Sequence, residues 1–494
     1  MTENEYRLAT QACDDILLAP ESSIERVAIR WLHVLSEHPH SLTQYSELFQ
    51  DKPRDLRRRF RRMVGGALQG IRALSGGGRW FFGDALPKSA DVLFVSHFLN
   101  AAQAESKDDF YYGDLPNALA SRGKSCVMAL VNHSGRSPQS LSSKWHATGI
   151  PRVLLSGTIG LRGDLALWRR LRHESQRLRS AAEVAATQIQ RRALLIAGSY
   201  AREMSSAAIL RIGEQIAELV KQIRPKAIVV TYEGQAWERL AFAAARRVHP
   251  KVRCIGYHHT ILFPRQHALK RRLGPAFDPD VILTAGPVTR GQLAQAPGLL
   301  GIPVGVLGTH RRMLVSRARP PDNAPTCLVI PEGLTGECVL LFDFALACAA
   351  LAPAVRFVFR MHPVLPFASI AALDSRLKSL PGNVELSGVP IAADFARSRW
   401  ALYRGSSAAV YAVLAGLRPV YVSRRNEMSI DPLYQLSSWR CYAETPNDFL
   451  DQMNSDLRAD QDSLAAEARS AITYCENYFT PVDVAALESA IDAR

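Results

Sequence analysis

The sequence of 494 residues contains no pair of cysteines at the two-residue spacing of zinc or thioredoxin-like sites. Its eight cysteines are scattered, several of them within apolar runs, which predicts reduced core cysteines and a cytoplasmic location. The first residues, MTENEYRLATQACDD, lack the basic start and the apolar stretch of a secretion signal. The longest apolar run, residues 338–355, contains Asp343 and Pro353, which favours a buried helix over a membrane span.

Acidic residues are fewer than basic ones, 46 against 60, which gives a net charge of +14. Much of this surplus lies in residues 52–62 and 161–180, where basic residues outnumber acidic ones by seven to one and by six to two. A polyanionic partner is therefore expected, either an anionic membrane surface, an anionic glycan or a nucleic acid. The sequence lacks the recognition motifs and interleaved aromatic residues of nucleic-acid-binding proteins, so we expect no nucleic-acid partner.

Neither an internal repeat nor a low-complexity segment interrupts the chain. The composition, 47% hydrophobic and 21% charged residues, is typical of a globular protein with two or three cores. From residue 90 onwards, short β-branched runs alternate with helical stretches, which indicates parallel α/β sheets. The predicted strands are DVLFVSHF, KSCVMALVNH, PRVLLSG, KAIVVTYEG, VRCIGYHH, DVILTAG, VGVLG, TCLVIPEG, VRFVFRMHP, NVELSG, WALYRGSS and RPVYVS.

This pattern divides the chain into four parts. Residues 1–80 show helical periodicity without strands and are predicted to be a helical N-terminal segment appended to the rest. Residues 81–320 and 321–445 are predicted to form two α/β domains, with a boundary in the loop rich in Pro and Arg at 316–326. Residues 446–494 are polar with helical periodicity, and we expect them to form C-terminal helices.

Residues that directly follow a strand are the first candidates for a site, because ligands of open α/β sheets bind at the carboxyl ends of the strands. In the first α/β domain, Tyr232, Glu233 and Gly234 follow the run KAIVVT. Glu233 is either a general acid or base, or an acid favoured by the start of the following helix. At the end of the run VRCIG, His258 and His259 favour a ligand contact by one of them over a metal site, because adjacent residues of a strand point apart.

In the second α/β domain, Glu332 follows the first predicted strand, and Glu337 lies at the start of the helix after it. Glu332 is a ligand contact, a catalytic carboxylate or an acid at a helix start. Arg360, His362 and Pro363 close the next strand. A histidine held by the following proline can protonate or pair with a phosphate leaving group, and a purely structural histidine is the alternative.

The segment Arg404, Gly405, Ser406 and Ser407 lies between the strand WALY and the helix AAVYAVLAG. Small hydroxyl residues at a helix start cap its free amide groups, and the same amides and hydroxyls make phosphate sites. A plain helix cap is the alternative. Acid-Gly in one domain together with His-Pro and Ser-Ser at successive strand ends of the other is more specific than any one of these motifs.

These motifs resemble those of GT-B glycosyltransferases that use CMP-activated sugars, including bacterial sialyltransferases, polysialyltransferases and β-Kdo transferases. Glu233 matches the catalytic acid that precedes Gly in those families. His362 with Pro363 matches the His-Pro motif that meets the CMP phosphate. Ser406 with Ser407 matches the phosphate-binding serines. The resemblance implies an α/β fold of two Rossmann-like domains, the first on the acceptor side and the second binding the nucleotide sugar.

The resemblance covers residues 90–440 in order and architecture, with one departure, since Tyr232 stands where the families have a second acid. It implies transfer of an ulosonic acid, Kdo or a sialic-acid-like sugar, from CMP to a glycan or glycolipid of the lipopolysaccharide, O-antigen or capsule type. No metal and no cofactor besides the CMP-sugar are expected, because a histidine, an arginine and helix-start amides can meet the single phosphate of CMP. The basic segments would then contact an anionic surface at the inner face of the cytoplasmic membrane.

The resemblance and the positions after strands together give an expected site of three parts. The expected catalytic residues are Glu233, Glu332 and His362. The expected donor-binding residues are Glu337, Arg360, Pro363, Arg404, Gly405, Ser406 and Ser407. The expected acceptor-side residues are Tyr232, His258 and His259.

Two carboxylates leave two stereochemical outcomes open. Glu233 alone would act as a base in a single inverting displacement, whereas Glu332 could first form a covalent glycosyl-enzyme and give retention. In the retaining β-Kdo transferases that the chain resembles, the acid that forms the adduct lies between the acid-Gly and His-Pro motifs, as Glu332 and Glu337 do here. We favour retention with Glu332 as the nucleophile. A CDP-glycerol phosphotransferase and a nucleotide-sugar epimerase of the same fold are the alternatives.

Overall fold

The structure, a computed structural model, describes residues 1–50, 80–136, 138–141, 145, 149–311 and 325–493. The basic segment 52–62 and most of the predicted boundary loop 316–326 lie outside these residues. The described residues contain two sheets, one before that loop in the sequence and one after it. We call the parts built around them the first domain and the second domain.

The N-terminal segment is helical, as predicted, but its helices are short. It contains α1 (Glu3–Leu17), α2 (Ile24–Val27) and α3 (Pro39–Leu42), with 3-10 helices at Arg30–His33 and Thr43–Leu48. The side chain of Thr2 caps α1 in a capping box with Glu5. The helical periodicity of IERVAIRWLHVL gives two short turns instead of one helix, because the backbone of Ile29 between them is extended.

The expectation that this segment is an appendage is wrong. Trp31 and Leu32 are fully buried in the same hydrophobic core as the first sheet, and the Trp31 ring stacks on Tyr200 with 5.8 Å between centroids. Arg26 donates to the buried carboxylate of Glu174 at 2.7 Å. A buried ion pair of this kind ties the segment to the helical layer of the first domain, because removing either partner would leave an uncompensated buried charge.

The first sheet covers the predicted strands of the first domain and one short edge strand. Within the described residues it consists of β1 (Phe81–Gly83), β2 (Val92–Phe98), β3 (Cys126–Asn132), β4 (Arg152–Leu155), β5 (Ala227–Thr231), β6 (Arg253–His258), β7 (Val281–Thr284) and β8 (Val304–Val306). The order is β1-β4-β3-β2-β5-β6-β7-β8, with only β1 antiparallel to its neighbour. The chain reverses its direction across the sheet between β2 and β5, which makes this pair the topological switch point.

Helices cover both faces of this sheet. They are α4 (Leu115–Ala120), α5 (Pro138–Leu141), α6 (Leu161–Glu183), α7 (Gln188–Tyr200), α8 (Met204–Ile223), α9 (Ala236–Val248) and α10 (Pro287–Ala294). Strands β2 and β5 are buried along their whole length, as continuous apolar runs between two helical layers are. The basic stretch 161–180 lies in α6, whose buried side includes Leu167, Leu171 and Leu178.

The second sheet is parallel throughout. Its strands in the described part of the chain are β9 (Thr326–Ile330), β10 (Arg356–Phe359), β11 (Val384–Leu386), β12 (Trp400–Tyr403), β13 (Arg418–Val422) and β14 (Cys441–Ala443). Their order is β11-β10-β9-β12-β13-β14, so the switch point lies between β9 and β12. Its helices are α11 (Thr335–Leu351), α12 (Phe367–Ala371), α13 (Ile391–Ala396) and α14 (Ala408–Leu414).

The apolar run 338–355 begins inside α11, which packs into the core of the second domain. Phe342 of this helix stacks on Phe359 of β10 with 4.3 Å between ring centroids. No helix among the described residues is both long enough and apolar enough to span a membrane. The prediction of a buried helix over this run is therefore confirmed up to Leu351, where α11 ends.

The C-terminal residues are helical, as expected, and they join both domains. Helices α15 (Pro446–Arg458), α16 (Gln461–Glu476) and α17 (Val484–Asp492) follow β14. Phe449 and Met453 of α15 lie in the core of the second domain. Leu487 and Ile491 of α17 are instead buried in a core of the first domain, beside Ile255 of β6. The chain thus crosses back to the first domain at its end.

The two domains meet through the carboxyl ends of their sheets. Ile261 and Ala285, which follow β6 and β7, are buried in one cluster with Tyr403 at the end of β12 and with Val410 of α14. The fold class expected from the sequence is confirmed as far as two Rossmann-like α/β domains with a helical N-terminal segment. All predicted strands are present, the short edge strands β1 and β14 were not predicted, and the eight cysteines are buried and unpaired.

Gly234 follows β5 with a φ of +79°, and a Cβ there would lie 2.4 Å from the backbone of Ala268. We expect Gly234→Ala to lower the free energy of unfolding by about 1–2 kcal/mol for the left-handed backbone and by about 1–3 kcal/mol more for the overlap. Gly123→Ala is the matched control, because Gly123 has a φ of +84° and no atom within 4 Å of its Cβ position. Urea unfolding measures both variants, and equal losses would contradict the role of the close contact.

Candidate functional site

The second domain brings three of its predicted motifs to one place. Glu332 follows β9 and Gly405 follows β12, which are the two strands at the switch point. A Cβ on Gly405 would lie 2.7 Å from Glu332 Oε2, and a Cβ on Gly333 would lie 2.9 Å from His362 Nδ1. Because neither glycine has a side chain, the Glu332 carboxylate and the His362 imidazole can each approach the backbone of a neighbouring loop closely.

Glu332 also contacts the N-terminal segment. His38 Nε2 donates to Glu332 Oε2 at 2.8 Å, and both side chains are largely buried. Burial lowers the pKa of His38, but the hydrogen bond and the charge of Glu332 outweigh it, so the pKa of His38 is raised above its usual value. Sequence reasoning missed His38, since it precedes a short helix and follows no predicted strand.

Arg404 and Glu337, both expected to bind the donor, are bound to each other. Arg404 is 2% exposed, and its guanidinium donates to Glu337 at 2.6 Å, to Glu427 at 2.8 Å and to the carbonyl of Val422 at 2.8 Å. All three guanidinium nitrogens are therefore occupied within the domain. This network fixes the loop that presents Gly405, and the contact of Arg404 and Glu337 with the donor stays a prediction.

The ligand atoms of His38, Glu332 and Glu337 lie within 4.8 Å of one another, a group that could hold a metal ion. In the structure, however, His38 is hydrogen-bonded to Glu332, and Arg404 neutralises Glu337. One oxygen of Glu332 and the carboxylate of Glu337 are thus paired within the protein, whereas Glu332 Oε1 has no hydrogen-bond partner in the described residues. The residue types of the cluster suit zinc.

The expected phosphate contacts on the strand after β9 differ in their surroundings. Arg360 donates to the fully buried Asp394 at 2.7 Å and to the carbonyl of Val389 at 2.7 Å, which ties it to the start of α13 and its preceding loop. His362, followed by Pro363, is half-buried, and burial lowers its pKa more than the charge of Glu332 raises it. His362 is therefore the group of this motif that lies beside Glu332.

The two serines lie at the start of α14, directly after Gly405. Ser406 is buried, and its Oγ accepts a weak bond from the N–H of Ala408 at 3.4 Å. Ser407 is exposed at the N-cap position, and its side chain makes no capping hydrogen bond. The plain-cap interpretation thus has little support for Ser407, whose hydroxyl remains at the surface.

In the first domain, Glu233 lies two residues after β5 and is partly exposed. Its carboxylate accepts from Gln235 Nε2 at 2.9 Å, and its backbone N–H donates to Glu238 Oε2 at 2.8 Å. Glu238, which sequence reasoning missed, is fully buried, and burial followed by the charge of Glu233 raises its pKa. The buried carboxyl of Glu238 fixes the backbone that presents Glu233, in a capping box with Gln235.

Two of the expected acceptor-side residues, Tyr232 and His258, have side chains enclosed within the first domain. Tyr232 is 0% exposed, and its ring packs against Gly256 of the neighbouring strand and 5.1 Å from the guanidinium of Arg239. His258 is also 0% exposed, with Nδ1 2.9 Å from the carbonyl of Tyr232, and burial lowers its pKa. Both side chains point into the domain because the strands are covered on both faces.

His259 is the member of this set that lies at the edge of the sheet. It is 8% exposed and meets the ring of Tyr111 edge to face, with 4.4 Å between centroids. Two further histidines, which sequence reasoning missed, lie at the same edge. His97 Nδ1 is 2.8 Å from His133 Nε2, and His97 Nε2 is 3.0 Å from Thr231 Oγ1. Applying the strand-end rule to β2 and β3 would have found both.

Comparison with known proteins gives similarity of structure and none of sequence. No family model matches the chain, and no curated protein matches it. The structure is similar to the glycotransferase of kitacinnamycin, with a TM-score of 0.46 and 15% identity over 82% of this chain and 100% of that one. It is similar to Acinetobacter baumannii MurG, with a TM-score of 0.45 and 12% identity over the same shares. It is also similar to a putative UDP-N-acetylglucosamine 2-epimerase from Listeria monocytogenes, with a TM-score of 0.47 and 12% identity over 82% of this chain and 96% of that one.

The pairing of His38 with Glu332 predicts an imidazole that titrates above its ordinary pKa of about 6.5. In Glu332→Gln the favourable charge is lost while burial remains, so the pKa of His38 should fall below that value. Histidine NMR resonances followed between pH 5 and pH 9, with His38→Gln for assignment, measure it. The chemical shifts of His173, an exposed histidine of α6, serve as the reference in both proteins. An unchanged pKa of His38 would contradict the pairing.

Proposed function

We propose that this protein is a glycosyltransferase that moves an ulosonic acid, Kdo or a sialic-acid-like sugar, from CMP to a glycan or glycolipid acceptor. The observation that carries the proposal is the convergence of Glu332, His362 and Gly405 at the switch point of the second sheet. Open parallel sheets bind nucleotides at this point. The His-Pro and Ser-Ser motifs, on which the resemblance to CMP-sugar transferases rests, are therefore neighbours of a carboxylate in space.

On the donor side, we assign the leaving group to His362 and the serines. A half-buried imidazole beside the phosphate can donate a hydrogen bond or a proton to the departing CMP. Ser407, exposed next to the buried Ser406, offers a hydroxyl to the same phosphate. Arg360 and Arg404 hold the loops in place through Asp394 and Glu337, so their effect on the donor would be indirect.

We propose that two carboxylates act in succession and that the anomeric configuration is retained. An oxygen of Glu332 attacks the anomeric carbon while the bond to the CMP phosphate breaks, which gives a glycosyl ester. The acceptor hydroxyl then loses its proton to Glu233 as it attacks the same carbon, and the Glu332 carboxylate leaves. His38 donates to Glu332 Oε2, whereas Oε1 has no hydrogen-bond partner in the described residues. His38 thus orients the carboxylate for attack through its other oxygen.

We propose that the reaction needs no metal. CMP leaves with a single phosphate, whose charge a histidine, hydroxyls and backbone amides can meet without a divalent ion. Arg404 already neutralises Glu337, and His38 already binds Glu332. A cation bound by all three groups of this cluster would therefore compete with Glu332 for His38 and with Arg404 for Glu337.

We propose that the enzyme works in the cytoplasm, at the inner face of the cytoplasmic membrane. The support for a membrane surface is the exposed side of α6, which carries Arg162, Arg169, Arg172 and Arg179. Leu161 and Leu165 are about half exposed at the start of the same helix. Each arginine near an anionic bilayer contributes about 1 kcal/mol, so this helix would add to any attraction by residues 52–62.

Nucleotide selectivity tests the proposed donor. CMP should raise the melting temperature more than UDP or GDP does, because a ligand that binds the folded state stabilises it according to its affinity. The measurement is a thermal-shift series with CMP, CDP, UDP and GDP at equal concentrations. Stabilisation by UDP or GDP without CMP would refute the proposal. Stabilisation by CDP with no response to CMP would favour the CDP-glycerol phosphotransferase instead.

A covalent adduct tests the proposed mechanism. With a CMP-sugar donor and no acceptor, intact-protein mass spectrometry should show wild type and Glu337→Gln heavier by one sugar, and it should show no adduct on Glu332→Gln. Glu337→Gln is the matched control, because Glu337 lies in the same cluster but is bound to Arg404. The adduct should also form in excess EDTA. An inverted product from an enzyme that shows no adduct would eliminate Glu332 as the nucleophile.

A further inference from the structure

Four strand ends of the first sheet carry polar groups that the proposed transfer does not use. His97 lies near the end of β2, His133 directly follows β3, Thr231 ends β5 and His259 follows β6. The strands β3, β2, β5 and β6 are neighbours in this order, and β2 and β5 form the switch point. These groups therefore occupy the position at which an open parallel sheet binds a ligand.

The groups form one continuous wall. His97 hydrogen-bonds His133 through one ring nitrogen at 2.8 Å and Thr231 through the other at 3.0 Å. The ring of Tyr111 lies 5.2 Å from that of His97 and 4.4 Å from that of His259, between centroids. Burial, and then the neighbouring His133, lowers the pKa of His97 to about 3. The buried part of the wall is thus uncharged at neutral pH.

Two exposed arginines stand beside this wall. The guanidinium of Arg311 lies 4.3 Å from the ring centroid of Phe110 and 5.9 Å from that of Tyr111. Arg30 belongs to the N-terminal segment. Burial is the largest cause that lowers the pKa of His133, and the charge of Arg30 is the second. Neither guanidinium forms an ion pair within the part of the chain that the structure describes. Two cations without a carboxylate partner leave a positive charge at this edge.

The carboxylate of Glu233 follows β5 at the same edge. Burial is the largest cause that raises the pKa of Tyr111, and the charge of Glu233 is the second. Glu233 therefore lies within electrostatic reach of the wall. Glu233 is bound to Gln235 and not to either arginine. An anion held by the arginines would therefore leave Glu233 available to accept a proton from a nearby hydroxyl.

We propose that this edge of the first sheet binds an anionic group of the acceptor, a phosphate or a carboxylate, between Arg30, Arg311 and His133. The proposal rests on the proposed glycosyl transfer and names the class of its acceptor. Guanidinium groups bind phosphate and carboxylate through two parallel hydrogen bonds. The rings of Phe110 and Tyr111 beside them offer an apolar face to the sugar that carries the charge.

The experiment measures binding without donor and without turnover. Isothermal titration compares N-acetylglucosamine 1-phosphate, glucuronic acid, N-acetylneuraminic acid and uncharged N-acetylglucosamine. The test variant is Arg30→Gln with Arg311→Gln. The matched control is Arg458→Gln with Arg469→Gln, which removes the same charge from exposed positions of α15 and α16. Circular dichroism confirms that both variants are folded.

Wild type and control should bind the sugar phosphate or the uronic acid at least about tenfold more tightly than the test variant does, because the test variant loses the charge-assisted hydrogen bonds of two guanidinium groups. They should bind the uncharged sugar weakly. Equal affinities of test variant and control, or no preference for anionic sugars, would overturn the proposal. Selective binding of N-acetylneuraminic acid would also overturn it, because the site would then hold the donor sugar.

The outcome is separable from that of the proposed function. Failure of CMP to stabilise the protein would refute the donor assignment and would leave the affinities for anionic sugars unaffected. Conversely, the protein could be stabilised by CMP and yet show no preference for anionic sugars. That result would agree with the proposed transferase and contradict only the proposed acceptor class.

Discussion

When two neighbouring strands of a parallel sheet send their chains to opposite sides, the loops after them diverge and leave a crevice. This happens between β2 and β5 in the first sheet and between β9 and β12 in the second. The candidate side chains that follow strands all lie at one of these crevices or one strand away from it. The reversal of strand order thus determines where polar side chains can face a ligand without disturbing a core that is apolar on both faces.

Two glycines without side chains allow close approaches between the loops of the second crevice. The Glu332 carboxylate lies close to the backbone of Gly405, and the His362 imidazole lies close to the backbone of Gly333. The loop after β12 is then fixed by Arg404, whose charge is met by Glu337 and Glu427. Buried ionic groups of this kind contribute little to net stability, because desolvation offsets the attraction, but losing one partner is costly. Their effect here is to hold one loop geometry.

The N-terminal segment links the two crevices. His38 reaches Glu332 at the second switch point, and the charge of Arg30 adds to burial in lowering the pKa of His133 near the first. The body of the segment is anchored in the core of the first domain by Trp31 and by the pair of Arg26 with Glu174. A segment bound to one domain and in contact with the other makes their relative position part of the site.

The sequence by itself determined the two parallel sheets, because apolar runs alternating with helical stretches have few other solutions. It also determined that Glu233, Glu332 and His362 follow strands, since a strand end can be located from the pattern of its residues. Only the tertiary structure decided that Tyr232 and His258 are enclosed, that Arg404 is bound to Glu337 and that His38 meets Glu332. Periodicity locates a residue along its own element, whereas burial and pairing depend on which distant elements pack against it, and His38 and Glu332 are 294 residues apart.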